Sequence, residues 1–273
     1  MLMSSTPSSR QMRIVIKVGG AAVTSPGDYA SLWSQIATVS REASVAVVHG
    51  GGHLATERLD RMGVAQPGRI NGLRITPPEM IEDVVASLGG VANARLVSAL
   101  TAAGATTCGM TLTAARMMNL DHHPTPGLGH VGQVIDGDGT MLLTHFDAGV
   151  VPVIAPVGMT PNGTWLNVNA DEAAAGVART INADQLLLLS DIPGVLDADG
   201  ACINALPEED LGTLIESGVI AGGMIPKVLS AVSAAKASGS RVHIASLASP
   251  TVIRDAVRGH AVGTQVYASG GAA

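Results

Sequence analysis

The chain has 273 residues, of which 47% are hydrophobic and 14% charged, and it carries a formal net charge of −6 at pH 7. This composition supplies a large core for one α/β domain or two closely packed lobes. The acidic balance, the lack of long basic runs and an aromatic content of 2% argue against nucleic-acid binding. No stretch of about 18 uninterrupted apolar residues occurs, so a membrane span is not expected.

The N-terminal residues 1–12, MLMSSTPSSRQM, are polar and contain no apolar signal-peptide core. They predict a flexible tail on a protein that stays in the cytoplasm. Cys108 and Cys202 stand far apart and lack metal-ligand spacing, so we expect reduced thiols without a functional role.

Short runs rich in Val, Ile and Leu alternate along the chain with Ala-rich stretches of helical length. The runs predicted as strands cover residues 14–18, 45–48, 105–112, 150–156, 185–189 and 241–245. The predicted helices cover residues 29–41, 54–62, 78–103, 171–181, 211–217 and 226–238. Continuous rather than alternating apolar runs are typical of parallel strands covered on both faces. The pattern therefore predicts an α/β fold with a doubly wound, mostly parallel sheet.

Glycine and polar clusters follow three of the predicted strands. They are KVGG at residues 17–20, HGGGH at 49–53 and SDIPGVLDADG at 190–200. In open α/β sheets, ligands bind beyond the carboxyl ends of the strands. We therefore expect these three loops to share one edge of the sheet, and that edge to be the functional site.

The two glycine loops have the composition of an anion site. A loop without Cβ atoms lets backbone N–H groups approach a phosphate, and a following helix N-terminus adds a favourable dipole. Either loop alone could equally be a tight strand-to-helix turn, and Lys17 alone could be a strand-end lysine that reaches solvent. Both loops together with Lys17 favour the anion site.

A second lysine and a carboxylate point the same way. Pro226 is expected at the first position of a helix, so Lys227 lies in the first turn, where its charge opposes the helix dipole. Asn169 and Glu172 have the spacing of a capping box, and Asp171 could be a helix-start acid or the anion that holds the two lysines together. Two lysines and two glycine loops at one point indicate phosphoryl transfer.

Three other pattern matches are weaker. GLGHVG at residues 127–132 fits a dinucleotide-binding pattern but does not follow a strand, and a turn or hairpin is favoured there. The histidines of HGGGH are separated by glycines, which disfavours a helical zinc site. No GxxxxGK[ST] sequence occurs, which excludes the ordinary P-loop route to ATP.

Seven short motifs occur in a characteristic order. They are KVGG, HGGG, NGLRIT at residues 71–76, LGHVG at 128–132, NVNAD at 167–171, SDIPGVLD at 190–197 and GGMIPK at 222–227. As an ordered set, they closely resemble the N-acetyl-L-glutamate kinases of the amino acid kinase family, over residues 13–267. The resemblance implies a three-layer αβα sandwich in one domain, residues 13–268. Its N-terminal lobe, 13–175, would hold the acyl amino acid, and its C-terminal lobe, 176–268, would hold ATP.

The resemblance also implies roles for individual residues. Lys17 would contact the transferring phosphoryl group, Lys227 would act on the nucleotide side, and Asp171 would organise both lysines. The implied substrate-binding residues are Gly19, Gly20, Gly51, Gly52, Arg74 and Asn167, with Arg74 holding the substrate α-carboxylate. The implied ATP-binding residues are Asp191, Ile192, Pro193, Gly194, Val195, Leu196, Val219, Ile220 and Ala221. Mg²⁺ would be held mainly by phosphates and water, without a metal site on the protein.

The implied activity is ATP-dependent phosphorylation of the side-chain carboxylate of N-acetyl-L-glutamate, in arginine biosynthesis. Two alternatives stay open: a related kinase of another acyl or carrier-bound amino acid, and a non-catalytic effector-binding module of the same fold. The sequence departs from many relatives at residues 109–116, GMTLTAAR, where they carry a GxDG-type motif. It also lacks the N-terminal amphipathic helix and the C-terminal His-Ala-Leu-Leu-Leu-Glu pattern of the arginine-inhibited hexamers. We therefore expect a homodimer, joined through the N-terminal lobes and insensitive to arginine.

Overall fold

An eight-stranded sheet runs through the centre of the computed structural model, which describes residues 10–268. In spatial order its strands are β12 (Ala205–Pro207), β14 (Thr264–Tyr267), β13 (Arg241–Ser246), β11 (Gln185–Ser190), β1 (Arg13–Val18), β2 (Ser44–His49), β8 (Val151–Ala155) and β5 (Thr107–Thr111). The strands from β13 to β5 are mutually parallel, and β14 and β12 run in the opposite direction. All six runs predicted as strands are confirmed, and they form the parallel part of this sheet.

Helices cover both faces of the sheet. They are α1 (Gly20–Thr24), α2 (Ala30–Val39), α3 (Gly52–Arg61), α4 (Ile81–Val85), α5 (Asn93–Ala102), α6 (Thr140–Asp147), α7 (Ala170–Thr180), α8 (Leu211–Glu216), α9 (Met224–Ser238) and α10 (Val252–Val257). Short 3₁₀ turns occupy Pro26–Tyr29, Pro78–Met80, Ala114–Arg116 and Glu208–Asp210. A π-helical segment, Ala86–Ala92, joins α4 to α5. The predicted three-layer αβα sandwich is confirmed.

The central strand β1 contributes side chains to both layers. Ile14, Ile16 and Val18 pack in the core under α2, α5 and α10, whereas Val15 packs in the core under α7 and α9. Side chains of a strand alternate between the two faces of the sheet. Lys17 therefore lies on the same face as Val15, the face that α7 covers.

Two smaller sheets lie beside the central one. The first has the order β6 (Met118–His122), β7 (Val131–Gly137), β10 (Trp165–Val168) and β9 (Val157–Met159), and the second is a ribbon of β3 (Arg69–Ile70) and β4 (Leu73–Arg74). The antiparallel strands β6 and β7 form a hairpin. Residues 127–130 lie in its connecting loop, so the hairpin interpretation of GLGHVG is confirmed.

One helical stretch in the described part of the chain, Pro78–Ala102, is long and apolar enough to cross a membrane by length and composition alone. Its residues Leu88, Ala92, Leu96 and Leu100 are buried in the protein core. A buried core helix has the same length and composition, and we interpret the stretch as one.

The predicted tail, residues 1–12, is only partly described. Residues 1–9 lie outside the described part of the chain. The Arg10 guanidinium forms an ion pair of 2.6 Å with Asp184, and Ser44 N–H donates to the carbonyl of Met12. Residues 10–12 are therefore attached to the domain.

Candidate active site

The order of the strands brings the three predicted loops together. β1 lies between β2 and β11, because the chain first adds strands on one side of β1 and later returns to its other side. Such a topological switch leaves a crevice at the carboxyl ends of the strands. The loops after β1, β2 and β11 are thus neighbours at one edge, as predicted.

A cavity of about 300 Å³ opens at this edge, and we call it the arginine cavity. Its lining includes five of the six predicted substrate-binding residues, namely Gly20, Gly51, Gly52, Arg74 and Asn167. Gly19 is not among the lining residues. A Cβ on Gly19 would lie 3.4 Å from the carbonyl oxygen of Leu189, so a side chain at this position would point toward the end of β11.

Arg74 places a buried positive charge in the arginine cavity. Its side chain donates hydrogen bonds to Gln66 Oε1, Thr56 Oγ1 and, at 2.6 Å, the carbonyl oxygen of Gly52. All three acceptors are neutral, and no carboxylate in the described part of the chain forms an ion pair with this guanidinium. Burial lowers the pKa of Arg74 and the charge of Arg69 lowers it further, whereas the charge of Asp60 opposes both. Because buried charges are normally paired, an anionic ligand is expected here.

Arg69 is a lining residue that the sequence did not single out. It lies directly opposite Arg74 in the β3–β4 ribbon, and it donates to the carbonyl of Gly72 at 2.9 Å. The Nη2 atoms of Arg69 and Arg74 lie 3.6 and 3.9 Å from the point where a Cβ on Gly52 would lie. Two guanidinium groups therefore converge on the N-terminus of α3, which itself favours negative charge.

Asn167 completes the polar lining of the arginine cavity. It lies on β10, where its Nδ2 donates to Thr76 Oγ1 at 3.3 Å. Thr76 is fully buried and its hydroxyl donates to the backbone carbonyl of Arg74, so Thr76 links the Asn167 amide to the backbone of Arg74.

Lys17 and Asp171 form an ion pair at the end of β1. Lys17 Nζ lies 2.9 Å from Asp171 Oδ1, and the side chains are 17% and 22% exposed. The contact does not have hydrogen-bond geometry, and this buried carboxylate oxygen has no hydrogen-bond partner among the described residues. Asp171 lines a second cavity, of about 410 Å³ between α7 and α9, which shares Leu73 and Asn169 with the arginine cavity. Asp171 thus faces the second cavity two residues from the shared Asn169, whereas Lys17 lines neither cavity.

The capping box predicted at the start of α7 is half formed. Asn169 Oδ1 accepts hydrogen bonds from the N–H groups of Asp171 and Glu172. The Glu172 carboxylate does not return to Asn169 and instead accepts the Val134 N–H at 2.9 Å. Burial raises the pKa of Glu172, although the Val134 N–H and the charge of His123 oppose this. Asp171 is therefore held by the Asn169 cap.

Lys227 has a different partner from the one predicted. Its Nζ donates to Asp191 Oδ1 at 2.9 Å, so Asp171 contacts Lys17 and Asp191 contacts Lys227. α9 begins at Met224, which makes Pro226 the third helical residue rather than the first. Proline is accepted there because the first N–H groups of a helix have no intrahelical partner. The Lys227 hydrogen bond and charge lower the pKa of Asp191.

The predicted nucleotide residues divide into exposed and buried groups. Asp191, Pro193, Leu196 and Ala221 are exposed, and Ile192 and Val219 are half-buried. Val195 and Ile220 are fully buried in the core, and Gly194 is also buried. A Cβ on Gly194 would lie 2.6 Å from Cys202 Sγ. The side chains of Val195 and Ile220 are therefore not available to a ligand, and the Val195 N–H donates to Thr264 Oγ1 at 2.8 Å.

The described residues contain no group of three or more His, Cys, Asp or Glu side chains that could hold a metal ion. Ser190, at the end of β11, has a buried hydroxyl oxygen without a hydrogen-bond partner among the described residues. Buried polar atoms are normally satisfied, so Ser190 Oγ has hydrogen-bonding capacity left at this edge, whereas Asp171 Oδ1 is compensated by the charge of Lys17.

Comparison with known proteins gives a consistent assignment. The sequence profile of the Amino acid kinase family matches residues 12–246. The chain is 37% identical to the acetylglutamate kinase of Vibrio campbellii over 259 residues, which are 94% of this chain and 97% of that protein. The structure is similar to smu.665 from Streptococcus mutans UA159, with a TM-score of 0.76, 28% identity, and 94% and 99% of the two chains covered.

A third similarity concerns the fold alone. The N-acetylglutamate synthase of Neisseria gonorrhoeae, solved with coenzyme A and N-acetyl-glutamate, gives a TM-score of 0.80 at 20% identity. The similarity covers 96% of this chain and 61% of that protein. The profile match over residues 12–246 and the relative from Vibrio campbellii show that the chain belongs to the amino acid kinase family.

Proposed function

We propose that this chain transfers the γ-phosphoryl group of ATP to the side-chain carboxylate of N-acetyl-L-glutamate, giving N-acetyl-L-glutamyl 5-phosphate for arginine biosynthesis. The buried guanidinium of Arg74 is the observation that carries the proposal, because its hydrogen-bond acceptors are all neutral and its charge favours an anionic ligand in the arginine cavity. The cavity volume of about 300 Å³ is at the small end of the usual range for ligand pockets, which suits an amino-acid derivative.

The proposed substrate orientation follows from the charges around the cavity. The planar fork of Arg74 is suited to the α-carboxylate, and Asn167 supplies an amide for a polar group of the same molecule. The side-chain carboxylate would then extend toward the glycine loops and the Lys17–Asp171 ion pair. Arg69 adds positive charge on the α-carboxylate side.

The chemistry requires little of the protein beyond positioning and charge. A carboxylate oxygen of the substrate forms a bond to the γ-phosphorus while the bond from that phosphorus to the β,γ-bridging oxygen breaks, and ADP leaves with the electron pair. The attacking carboxylate is already ionised at neutral pH, so no general base is needed. Lys17, held by Asp171, would neutralise the charge on the moving phosphoryl group.

The nucleotide would lie on the C-terminal side, at the loop 191–196 and the segment 219–221. The Lys227–Asp191 pair is exposed, and exposed ion pairs of this kind contribute only about 0–1 kcal/mol. A nucleotide phosphate can therefore replace Asp191 as the partner of Lys227. Mg²⁺, held by phosphates and water, would neutralise phosphate charge when bound.

We further propose that the protein acts in the cytoplasm as a homodimer joined through its N-terminal lobes, and that arginine does not inhibit it. Light scattering with and without arginine, in parallel with the activity assay, tests this assembly. We expect a dimer in both conditions and unchanged turnover. A stable hexamer that arginine inhibits would contradict it.

An ATP-dependent hydroxamate assay tests the proposed activity. N-acetylglutamate is compared with glutamate, aspartate, N-acetyl-aminoadipate, UMP and carbamate under identical conditions. Acceptor-dependent ADP formation is measured in parallel, because phosphorylation of UMP gives no acyl phosphate for hydroxylamine to trap. We expect the highest kcat/KM for N-acetylglutamate. A higher value for another acceptor would assign the chain to a related kinase activity, and no turnover with any acceptor would support a binding module.

A further inference from the structure

The second glycine loop rests on a buried histidine. His49, the last residue of β2, is fully buried, and its Nδ1 lies 2.6 Å from the carbonyl oxygen of Gly50. Its Nε2 lies 3.2 Å from Nδ2 of Asn93, the first residue of α5. Asn93 Nδ2 also donates to the carbonyl oxygen of Val153 at 2.8 Å. The histidine therefore connects the glycine loop to a long helix and to a neighbouring strand.

These contacts specify a single state of the imidazole ring. A carbonyl oxygen only accepts hydrogen bonds, so Nδ1 must carry the proton that bonds to Gly50. The Asn93 nitrogen is a donor, as its contact with Val153 requires, so His49 Nε2 must accept. A neutral ring with its proton on Nδ1 satisfies both contacts at once.

The π-helical segment Ala86–Ala92 positions the other side of this arrangement. A Cβ on Gly51 would lie 3.0 Å from Leu88 Cδ2 and 3.4 Å from the Ala92 Cβ, so the segment packs directly against the loop. Asn93 follows the segment immediately. π-helical turns in otherwise α-helical stretches often occur at functional sites. Here the segment places two apolar contacts and one amide under the same loop.

A further glycine makes room for the amide. A Cβ on Gly109 of β5 would lie only 2.2 Å from Asn93 Oδ1. Asn93 is 5% exposed, so it has no alternative position toward solvent. Only glycine at position 109 therefore leaves room for Asn93 in this orientation.

The geometry of the peptide gives these contacts a consequence in the arginine cavity. In a trans peptide the C=O and the following N–H point in opposite directions. The carbonyl of Gly50 is turned toward the His49 ring, so the N–H of Gly51 is turned away from it, and Gly51 lines the cavity. Gly51 has a φ of 134°, which only glycine adopts readily. It is also the N-cap of α3, so its N–H has no intrahelical partner.

We propose that His49 and Asn93 form a positioning pair, which holds the second glycine loop so that one of its N–H groups is aimed at the transferring phosphoryl group. This inference rests on the proposed phosphoryl transfer. His49 touches neither substrate and acts through the Gly50 carbonyl. An N–H that is held in place before the reaction stabilises developing charge without reorganisation.

Two variants separate the contacts of His49. In His49→Asn, the amide nitrogen lies near the imidazole Nδ1 position and keeps a donor for the Gly50 carbonyl. In His49→Gln, the longer side chain reaches the Nε2 position and keeps the contact with Asn93 but loses the one with Gly50. We expect kcat of His49→Gln to fall about tenfold below that of His49→Asn, which corresponds to one hydrogen bond, with little change in KM for either substrate.

Equal kcat values in two variants with similar unfolding temperatures would overturn the proposal, as would an equal rise in both KM values. Wild-type turnover in the same assay tests the proposed function separately. Should either variant fail to fold, ¹⁵N NMR of histidine-labelled wild-type protein tests the proposal independently of activity, by locating the proton on the His49 ring. A His49 ring that carries its proton on Nδ1 near neutral pH supports the pair, and a proton on Nε2 overturns it.

Discussion

Acid should destabilise this fold through His49, and the size of the effect can be worked out from its environment. Burial lowers the pKa of the His49 ring from 6.5 to about 4, against the opposing contact with the Gly50 carbonyl. Between these two values the unfolded chain binds a proton that the folded protein does not bind, so stability falls as the pH falls. The full difference corresponds to about 3 kcal/mol, at about 1.36 kcal/mol for each pH unit.

Urea unfolding of wild type and His49→Asn at two pH values measures this contribution. Between about pH 7.5 and about pH 5, we expect the wild type to lose about 2 kcal/mol more unfolding free energy than the variant. His243, whose pKa burial also lowers, is present in both proteins, so its contribution cancels in the comparison. The same pH dependence in both proteins would show that His49 is not a buried neutral ring, and would refute the reasoning.

Three further substitutions have expected outcomes. Lys17→Ala should lower kcat by about 10²-fold or more with a modest change in KM, and steady-state kinetics within threefold of the wild-type kcat would contradict its role. Arg74→Lys should raise KM for the acyl amino acid far more than it lowers kcat, and an equal change in the KM for ATP would argue against it. Gly129→Ala would bring a Cβ to 2.4 Å from the Thr76 carbonyl oxygen at a φ of 70°. In urea unfolding, Gly129→Ala should lower the unfolding free energy by about 1–3 kcal/mol more than the control Gly63→Ala. Gly63 has a φ of 72° and no atom within 4 Å of the point where a Cβ would lie, so equal losses in the two variants would exclude the clash.

The central sheet and the edge that carries the site were predictable because their signals are local. β1, β2 and β11 are continuous apolar runs, and each is followed by a glycine or polar cluster. The fold class and the family were therefore recognised from the sequence, and both are confirmed. Alternation along β1 then determines the face on which Lys17 lies, without any tertiary information.

The small elements around the site carried no comparable signal. β3 and β4 have two residues each, too few for a periodic pattern, so the pairing of Arg69 opposite Arg74 was not predicted. The π-helical segment Ala86–Ala92 was included in one predicted helix, because a local i→i+5 turn leaves no clear trace in the hydrophobic pattern.

The choice of ion-pair partners also lies beyond the sequence. Asp171 follows β10 of the four-stranded sheet and Asp191 follows β11 of the central sheet, and the sequence does not reveal which of the two carboxylates faces Lys227. Which carboxylate pairs with Lys227 depends on how far the two side chains extend across the cleft. Similarly, the sequence suggested His49 only as a weak candidate for a zinc ligand. Its contact with Asn93 could not be predicted, because the two residues are 44 positions apart in the chain.

The most direct test of the central claim follows an oxygen atom from the acceptor to the phosphate. N-acetylglutamate labelled with ¹⁸O in its side-chain carboxylate is incubated with ATP, Mg²⁺, the protein and hydroxylamine. Hydroxylamine attacks the carbonyl carbon of the acyl phosphate and releases phosphate, which keeps the oxygen that bridged carbon and phosphorus. The account predicts one ¹⁸O atom in the phosphate released by the wild type, and none when only the α-carboxylate is labelled. Unlabelled phosphate from the side-chain label, or labelled phosphate from the α-carboxylate, would contradict it.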